Sequence, residues 1–217
     1  MNMRVLNRWM DPLEKALLAS VYVSNIEPGI SYIDRLRSRM WIPTGLLNDV
    51  VRRLISNGFL EESIPPRLTF LGRDAIKVVL VGGVFDVIHP GHIHTFKAAK
   101  KHGNVLIVVV ARTSTAARIK KGRKIYHCEN LRRELVSSIS FVDLAIIGSR
   151  VSLYDTVERV APDIIALGYD QIHSEKEISQ NCKDRNLAVQ IIRLNTPVPG
   201  IKSSQIKDEM GNSIYGI

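Results

Sequence analysis

From Lys77 onward, five short apolar runs alternate with segments of helical periodicity, and this alternation constrains the fold more than any other feature of the chain. A parallel strand buried on both faces is a near-continuous apolar run. Strands that alternate with helices form a parallel sheet with helices on both faces. The predicted strands are 78–82, 104–111, 141–147, 163–168 and 188–194. The predicted helices are 92–102, 129–139, 152–160 and 174–185. We therefore predict an α/β domain over residues 77–217.

The segment directly after the first strand, GGVFDVIHPGH at 82–92, indicates a phosphate site. Its two leading glycines allow a sharp turn and a close approach of the backbone to a ligand. A strand, a tight turn and a helix start together form an anion site, because N–H groups and the helix dipole point at the ligand. His89 and His92 can reach the same phosphate from that helix end. A pair of histidines alone would equally fit a metal site or ordinary polar residues, but the surrounding pattern favours the anion site.

The other predicted strand ends point to the same cleft. Ligands in open parallel sheets bind outside the carboxyl ends of the strands, near a switch in strand order. The segments that follow the predicted strands are 82–92, 111–124, 148–150, 168–171 and 195–204. We expect these segments to line one site.

Residues 1–76 form a separate domain in this interpretation. Helical periodicity over 10–25, 31–41 and from Pro43 to a C-terminal cap at Gly58 precedes a candidate hairpin formed by 59–62 and 65–70. Three helices and a hairpin predict a small winged helix-turn-helix domain. The segment 51–73 also resembles the C-terminal part of that family. If this domain bound DNA, the third helix would enter the major groove. That helix offers Asn48, Arg52, Arg53 and Asn57.

The location of the charge bears on possible partners. The formal net charge is +9, but residues 1–76 hold ten basic and eight acidic residues, so most of the excess lies in 77–217. A nearly neutral first domain is poorly suited to phosphate contacts. DNA binding therefore stays open but less favoured than dimerisation, docking or a lid role. In contrast, 112–133 holds eight basic residues against one acidic, Glu129, which suits a small polyanion such as a nucleoside triphosphate.

Composition also bears on the cellular location and on the class of protein. No apolar stretch approaches the roughly 20 residues that span a bilayer. The N-terminus lacks the apolar core of a signal peptide, and Cys128 and Cys182 have no metal-like or redox spacing. We expect a cytoplasmic protein that does not contact a membrane.

The motif residues identify a resemblance. Gly83-Val84-Phe85-Asp86 followed by His89-Pro90-Gly91-His92 resembles the (T/S)xFDxxHxGH signature of the HxGH nucleotidylyltransferases, a cytidylyltransferase-like superfamily with a Rossmann-like parallel sheet. The similarity extends over about 77–207, with KGRK at 121–124, LRRE at 131–134 and GIKSSQI at 200–206. Archaeal FAD synthases and glycerol-3-phosphate cytidylyltransferases share most of it. Both join a nucleoside monophosphate to a phosphate monoester with release of pyrophosphate.

The resemblance implies a role for each motif residue. The catalytic residues would be His89, His92, Lys121 and Arg132, with the histidines donating to the α- and β-phosphates and Arg132 clamping the triphosphate. The nucleotide would be bound by the two histidines together with Gly83, Val84, Phe85, Asp86, Gly91, Arg123, Lys124, Gly168, Asp170, Gln171, Ser203 and Ser204. Arg112 and Tyr169 would contact the phosphate acceptor.

Several of these roles have alternatives. Asp86 would orient the motif, help a magnesium ion or cap a turn. The basic residues of 118–124 could be a solvated loop, and Ser203 and Ser204 could cap a helix. Mg²⁺ would arrive with the triphosphate and be held mostly by its oxygens, so no protein metal ligand is expected.

Small differences bear on the acceptor. Pro197 and Ser140 stand where the cytidylyltransferases have arginines, whereas Arg112 and Gln171 match the FAD synthases. Val84 replaces the usual Thr or Ser of the signature. We expect ATP as donor and FMN as acceptor, an FMN adenylyltransferase. The alternatives are a CTP-dependent enzyme acting on glycerol 3-phosphate or a similar phosphate, and a nucleotide- or flavin-sensing DNA-binding regulator. A homodimer is a further expectation.

Overall fold

The computed structural model describes residues 10–119, 124–169, 171 and 173–195. Contacts between Cα atoms divide the chain into two compact units, Met1–Lys77 and Val78–Ile217. The boundary expected from the sequence lies one residue earlier. Within the described ranges, no helix is both long and apolar enough to span a bilayer.

The described part of the first unit, residues 10–77, contains four helices: α1 (Pro12–Ile26), α2 (Tyr32–Arg37), α3 (Thr44–Ser56) and α4 (Phe70–Asp74). A capping box begins α1, in which Asp11 Oδ1 accepts from Glu14 N at 2.8 Å and Glu14 Oε2 accepts from Asp11 N at 3.2 Å. The first three helices bury a shared apolar core that includes Leu17, Leu18, Val21, Leu36, Leu47, Val50 and Leu54. Gly58 follows α3 with φ +75°, as a helix-ending glycine should.

The expected hairpin after α3 is smaller than the sequence suggested. A single antiparallel bridge joins Leu60 to Leu68. Thr69 Oγ1 then accepts from Gly72 N at 3.0 Å, so Phe70 begins α4 instead of extending a strand. The assignment of this unit as a winged helix stays a prediction.

The second unit contains the predicted parallel sheet. Its strands are β1 (Val78–Gly83), β2 (Val105–Val110), β3 (Leu144–Ile147), β4 (Ile164–Leu167) and β5 (Gln190–Arg193). They lie in the order β3-β2-β1-β4-β5, and every pairing is parallel. Successive residues of β1 and β2 are buried, so both faces of the sheet are covered. The predicted α/β class and its Rossmann-like sheet are confirmed.

Helices connect the strands: α5 (Pro90–Lys100), α6 (Thr113–Ile119), α7 (Glu129–Ser137), α8 (Leu153–Val160) and α9 (Glu175–Lys183). One core cluster joins Val79 and Val81 of β1 to Phe96 of α5 and Val136 of α7. The sequence did not predict α6, which lies in the segment 111–124 that follows β2. It is short and polar, and it is anchored through Ala116, which is fully buried.

The strand order places the candidate site. The chain passes from β1 outward to β3 and returns to the other side of β1 as β4. The switch point therefore lies between β1 and β4, where a crevice forms at the carboxyl ends. The motif loop follows β1, and Gly168 follows β4.

Candidate functional site

The loop after β1 is shaped by Phe85. This residue has φ +52°, a left-handed conformation that costs an L-residue roughly 1–2 kcal/mol. Its ring is only 6% exposed and packs edge-on against Phe96 and His92, with centroids 5.0 Å and 5.3 Å away. Burial of the aromatic ring offsets the backbone strain. Phe85 thereby holds the loop against the start of α5.

The Phe85 ring leaves no space for a side chain at Gly83. A Cβ at Gly83 would lie 2.5 Å from Phe85 Cζ, whereas a Cβ at Gly82 would meet nothing within 4 Å. We expect Gly83→Ala to lower the free energy of unfolding by about 1–3 kcal/mol through overpacking. Urea denaturation followed by far-UV circular dichroism measures the effect. Gly82→Ala is the matched control for the change in backbone entropy, and equal effects at the two glycines would contradict the role of Phe85.

His89 is the N-cap of α5. Its backbone is extended (φ −140°, ψ 167°), its Nδ1 accepts from Gly91 N at 3.2 Å, and Pro90 occupies the first helical turn. A backbone N–H can only donate, so Nδ1 must carry a lone pair. A neutral His89 ring therefore has its proton on Nε2, and the fold selects this tautomer.

His92 lies beside His89 in the first turn of the helix. The two ring centroids are 3.9 Å apart, and the rings are tilted by 38°. The edge contact with Phe85 supports the His92 ring from the core side. The structure thus brings the two predicted histidines together at the start of α5, next to the switch point.

Asp86 links the motif loop to the segment before α7. Its side chain is 4% exposed, and its carboxylate accepts from Tyr126 N at 3.1 Å and His127 N at 2.9 Å. His127 Nδ1 lies 3.0 Å from Asp86 O, and because a carbonyl only accepts, this nitrogen is the donor. Of the three roles considered for Asp86, orientation of the motif fits this geometry best.

Arg132 is fully buried and faces the backbone. It donates from Nη1 to Val84 O at 2.7 Å and Ala111 O at 2.8 Å, and from Nε to His127 O at 3.0 Å. Burial lowers the pKa of the guanidinium, and Asp86 partly opposes that shift. The predicted phosphate clamp does not match this geometry. Buried carbonyls at the ends of β1 and β2 need donors, and the arginine fork supplies them.

Two further predicted site residues, Gln171 and Arg112, also contact strand ends. Gln171 Nε2 donates to Gly82 O at 2.7 Å, which ties the segment after β4 to β1. Arg112 Nε donates to Gly148 O at 2.9 Å and ties the end of β2 to that of β3. Tyr169 is partly buried beside Gly168. Together with the contacts of Arg132 to Val84 O and Ala111 O, the Gln171 and Arg112 contacts connect the ends of four strands into one rim.

The structure does not describe every predicted site residue. Lys121, Arg123, Asp170, Ser203 and Ser204 lie outside the described residues. Lys124 is exposed, with its Nζ 4.9 Å from the centroid of the Tyr126 ring. Among the side chains that the structure describes, no group of three or more His, Cys, Asp or Glu is arranged to hold a metal ion.

Two contacts in this region were not predicted from the sequence. His127 contacts Asp86, and Arg193 at the end of β5 contacts the segment after β4. A strand-terminal arginine alone does not reveal which carbonyls it will meet.

Comparisons with known proteins identify relatives of this chain. A family model described as cytidylyltransferase-like matches residues 80–209. The FAD synthase of Aciduliprofundum boonei is 47% identical over 116 residues, which are 54% of this chain and 76% of that protein. The FAD synthase of Picrophilus torridus is 43% identical over 126 residues, or 58% and 89%. A crystal structure of a lipopolysaccharide core biosynthesis protein from Thermoplasma volcanium is 42% identical, with a TM-score of 0.53, and the match covers 56% of this chain and 98% of that one.

The family match spans more than half of the chain and begins within β1, so it includes the motif loop and the whole described rim. The resemblance predicted from the motif is therefore confirmed. The chain belongs to the cytidylyltransferase-like family.

Proposed function

We propose that this protein is an FMN adenylyltransferase. An oxygen of the FMN phosphate attacks the α-phosphorus of ATP, and a new P–O bond forms. The bond from the α-phosphorus to the bridging oxygen of the β-phosphate breaks, pyrophosphate leaves, and FAD is the product. Relatives named FAD synthase, at 47% and 43% identity, support ATP and FMN as the substrates.

One observation carries the proposal: the hydrogen bond from Gly91 N to His89 Nδ1. Because Gly91 N–H occupies Nδ1 at 3.2 Å, Nε2–H is a donor even when the ring is neutral. Charge builds on the phosphate oxygens during transfer, and preorganised donors stabilise it without rearranging. His92, with its ring 3.9 Å away, adds a second group at the same helix start. Both lie where the dipole of α5 favours an anion.

The remaining contacts belong to the same proposal. Gly83, Val84, Phe85, Asp86 and Gly91 shape the loop that receives the phosphates. Gly168 and Gln171 face the nucleotide across the switch point, and Arg112 and Tyr169 border the acceptor. Lys121, Arg123 and Lys124 would close over the triphosphate, Asp170 would contact the ribose or base, and Ser203 and Ser204 would lie near the β- and γ-phosphates. For Arg132 we propose a positioning role in place of the phosphate clamp.

Mg²⁺ enters the proposal as part of the nucleotide. The carboxylate of Asp86 is committed to backbone N–H groups of Tyr126 and His127. The described donor set therefore fits a metal held mainly by phosphate oxygens and water, which is the usual arrangement for Mg²⁺ on a triphosphate. When bound, the ion would neutralise charge on the leaving pyrophosphate.

A panel of substrates tests the reaction. Pyrophosphate release is measured with ATP or CTP as donor and FMN, glycerol 3-phosphate or another phosphate monoester as acceptor. We expect turnover with ATP and FMN, with kcat/KM for any CTP pair lower by about 100-fold or more, because a site built to pair with one base leaves polar groups unpaired with the other. Turnover restricted to CTP would support the cytidylyltransferase alternative and contradict the proposal.

The regulator alternative meets a specific difficulty in the first unit. Arg53 is paired with Glu14 at 2.8 Å and with Asp11 at 3.2 Å, and Arg52 lies 3.5 Å from Asp49. Two of the four side chains offered for base contacts therefore interact with carboxylates of the same unit. Absence of turnover in the whole panel, together with salt-dependent DNA binding by the full chain, would favour the regulator.

A further inference from the structure

Arg193, the last residue of β5, contacts three residues of the segment that joins β4 to α9 and also the first residue of α9. Nη1 donates to Gly168 O at 2.9 Å and to Gln171 O at 3.1 Å. Nη2 donates to His173 O at 2.8 Å, and Nε pairs with Glu175 Oε1 at 2.8 Å. The Arg193 side chain thus contacts three backbone carbonyls and the first residue of α9.

Gln171 extends this connection to the motif strand. Its Nε2 donates to Gly82 O at 2.7 Å, one residue before the glycine that packs on Phe85. Because a carbonyl only accepts, the amide must present its NH₂ group to Gly82 and keeps Oε1 for another donor. Arg193 fixes the main chain of the segment, and Gln171 fixes its distance from β1.

The carbonyl contacts matter more than the ion pair. Glu175 and Arg193 have side chains that are 46% and 29% exposed, and exposed ion pairs contribute little because water screens them. The three carbonyls lie at fixed positions around a planar guanidinium, which can donate to all of them at once. A lysine ammonium at the same place would be a point charge on a flexible stem and could not span the three.

We propose that Arg193 is a positioning residue that holds Gly168 and Gln171 against the end of β1, in the shape that receives the ribose and base. This inference rests on the proposed function. Without the guanidinium, binding of the nucleotide would have to order the segment, so affinity would fall while the chemical step stayed intact. Arg193 acts through Gly168 and Gln171 and is not itself a ligand of the phosphates.

The test compares Arg193→Lys with Glu175→Gln in the full chain. We expect Arg193→Lys to raise KM for ATP by about 10-fold with kcat within about three-fold, since only the cost of ordering the segment is added. Glu175→Gln removes the ion pair but leaves the carbonyl contacts, and its KM is expected to stay within about two-fold of wild type. An unchanged KM in Arg193→Lys, a fall in kcat alone, or equal effects of both substitutions would overturn the proposal.

Hydrogen exchange separates this inference from the proposed function. Peptides that cover 168–175 are expected to exchange faster in Arg193→Lys than in wild type, whereas peptides from α5 and α7 are unchanged. If wild type showed no turnover with any substrate pair, the proposed function would fail, and the exchange result would still report on the segment. Unchanged exchange over 168–175 would overturn the positioning role regardless of activity.

Discussion

Replacing His89 by asparagine is expected to lower kcat/KM for pyrophosphate release by about 100-fold, the order of loss when one donor to a developing oxyanion is removed. Asparagine is a preferred N-cap residue, so its oxygen can accept from the first turn of α5 as Nδ1 of His89 does at 3.2 Å. It cannot place a donor where Nε2 lies. Steady-state kinetics with ATP, Mg²⁺ and FMN measures the loss.

His102→Asn is the matched control, because His102 is exposed just beyond the end of the same helix. Its kcat/KM should stay within about two-fold of wild type, as expected for a surface position away from the site. The free energy of unfolding of His89→Asn should change by less than about 1 kcal/mol, since the cap is retained. Wild-type turnover in His89→Asn would remove the catalytic assignment, and a loss explained by unfolding would assign His89 to the cap alone.

Replacing Arg132 by methionine is expected to lower the free energy of unfolding by about 3 kcal/mol or more, because each buried polar group left unsatisfied costs roughly 1–3 kcal/mol. The carbonyls of Val84, Ala111 and His127 would lose their donor. Urea denaturation followed by far-UV circular dichroism measures this. Tryptophan fluorescence is unsuitable, since Trp9 and Trp41 both belong to the first unit.

Arg159→Met serves as the control, because Arg159 is exposed on α8 and the change in composition is identical. Its effect should stay within about 0.5 kcal/mol. Arg132→Lys distinguishes the two roles considered for this residue. A phosphate ligand would tolerate lysine in stability and lose activity, whereas a carbonyl-binding arginine loses stability as well. Wild-type stability in Arg132→Lys would therefore restore the phosphate clamp and contradict the positioning role.

The α/β fold could be predicted because its signal is local. Each strand buried on both faces must be apolar along its whole length, and this is visible in runs such as Val105–Val110. The start of α5 is equally local, since a cap is a contact between His89 and a residue two positions later. The short helix Thr113–Ile119 was missed because its one fully buried anchor, Ala116, leaves no apolar periodicity to detect.

The predictions for the site show the same difference between local and long-range contacts. The two histidines were identified correctly as neighbours because the spacing of the motif and the turn of a helix bring them together. Arg132 was expected to bind phosphate, because a charged residue near an anion site suggests an electrostatic role. Its partners are instead the carbonyls of Val84, Ala111 and His127. These residues are separated from Arg132 in the sequence by 48, 21 and 5 positions and lie at the ends of different elements.

By itself, the sequence determined the parallel sheet, the helix start that carries His89 and His92, and the family, since all three depend on periodicity and on contacts within a few residues. Only the tertiary structure decided which of the predicted donors contact backbone carbonyls of the protein itself. The reason is that strand order brings distant chain ends together and leaves their carbonyls in need of partners. Arg132 donates to such carbonyls at the ends of β1 and β2, and Arg193 donates to those of the segment after β4.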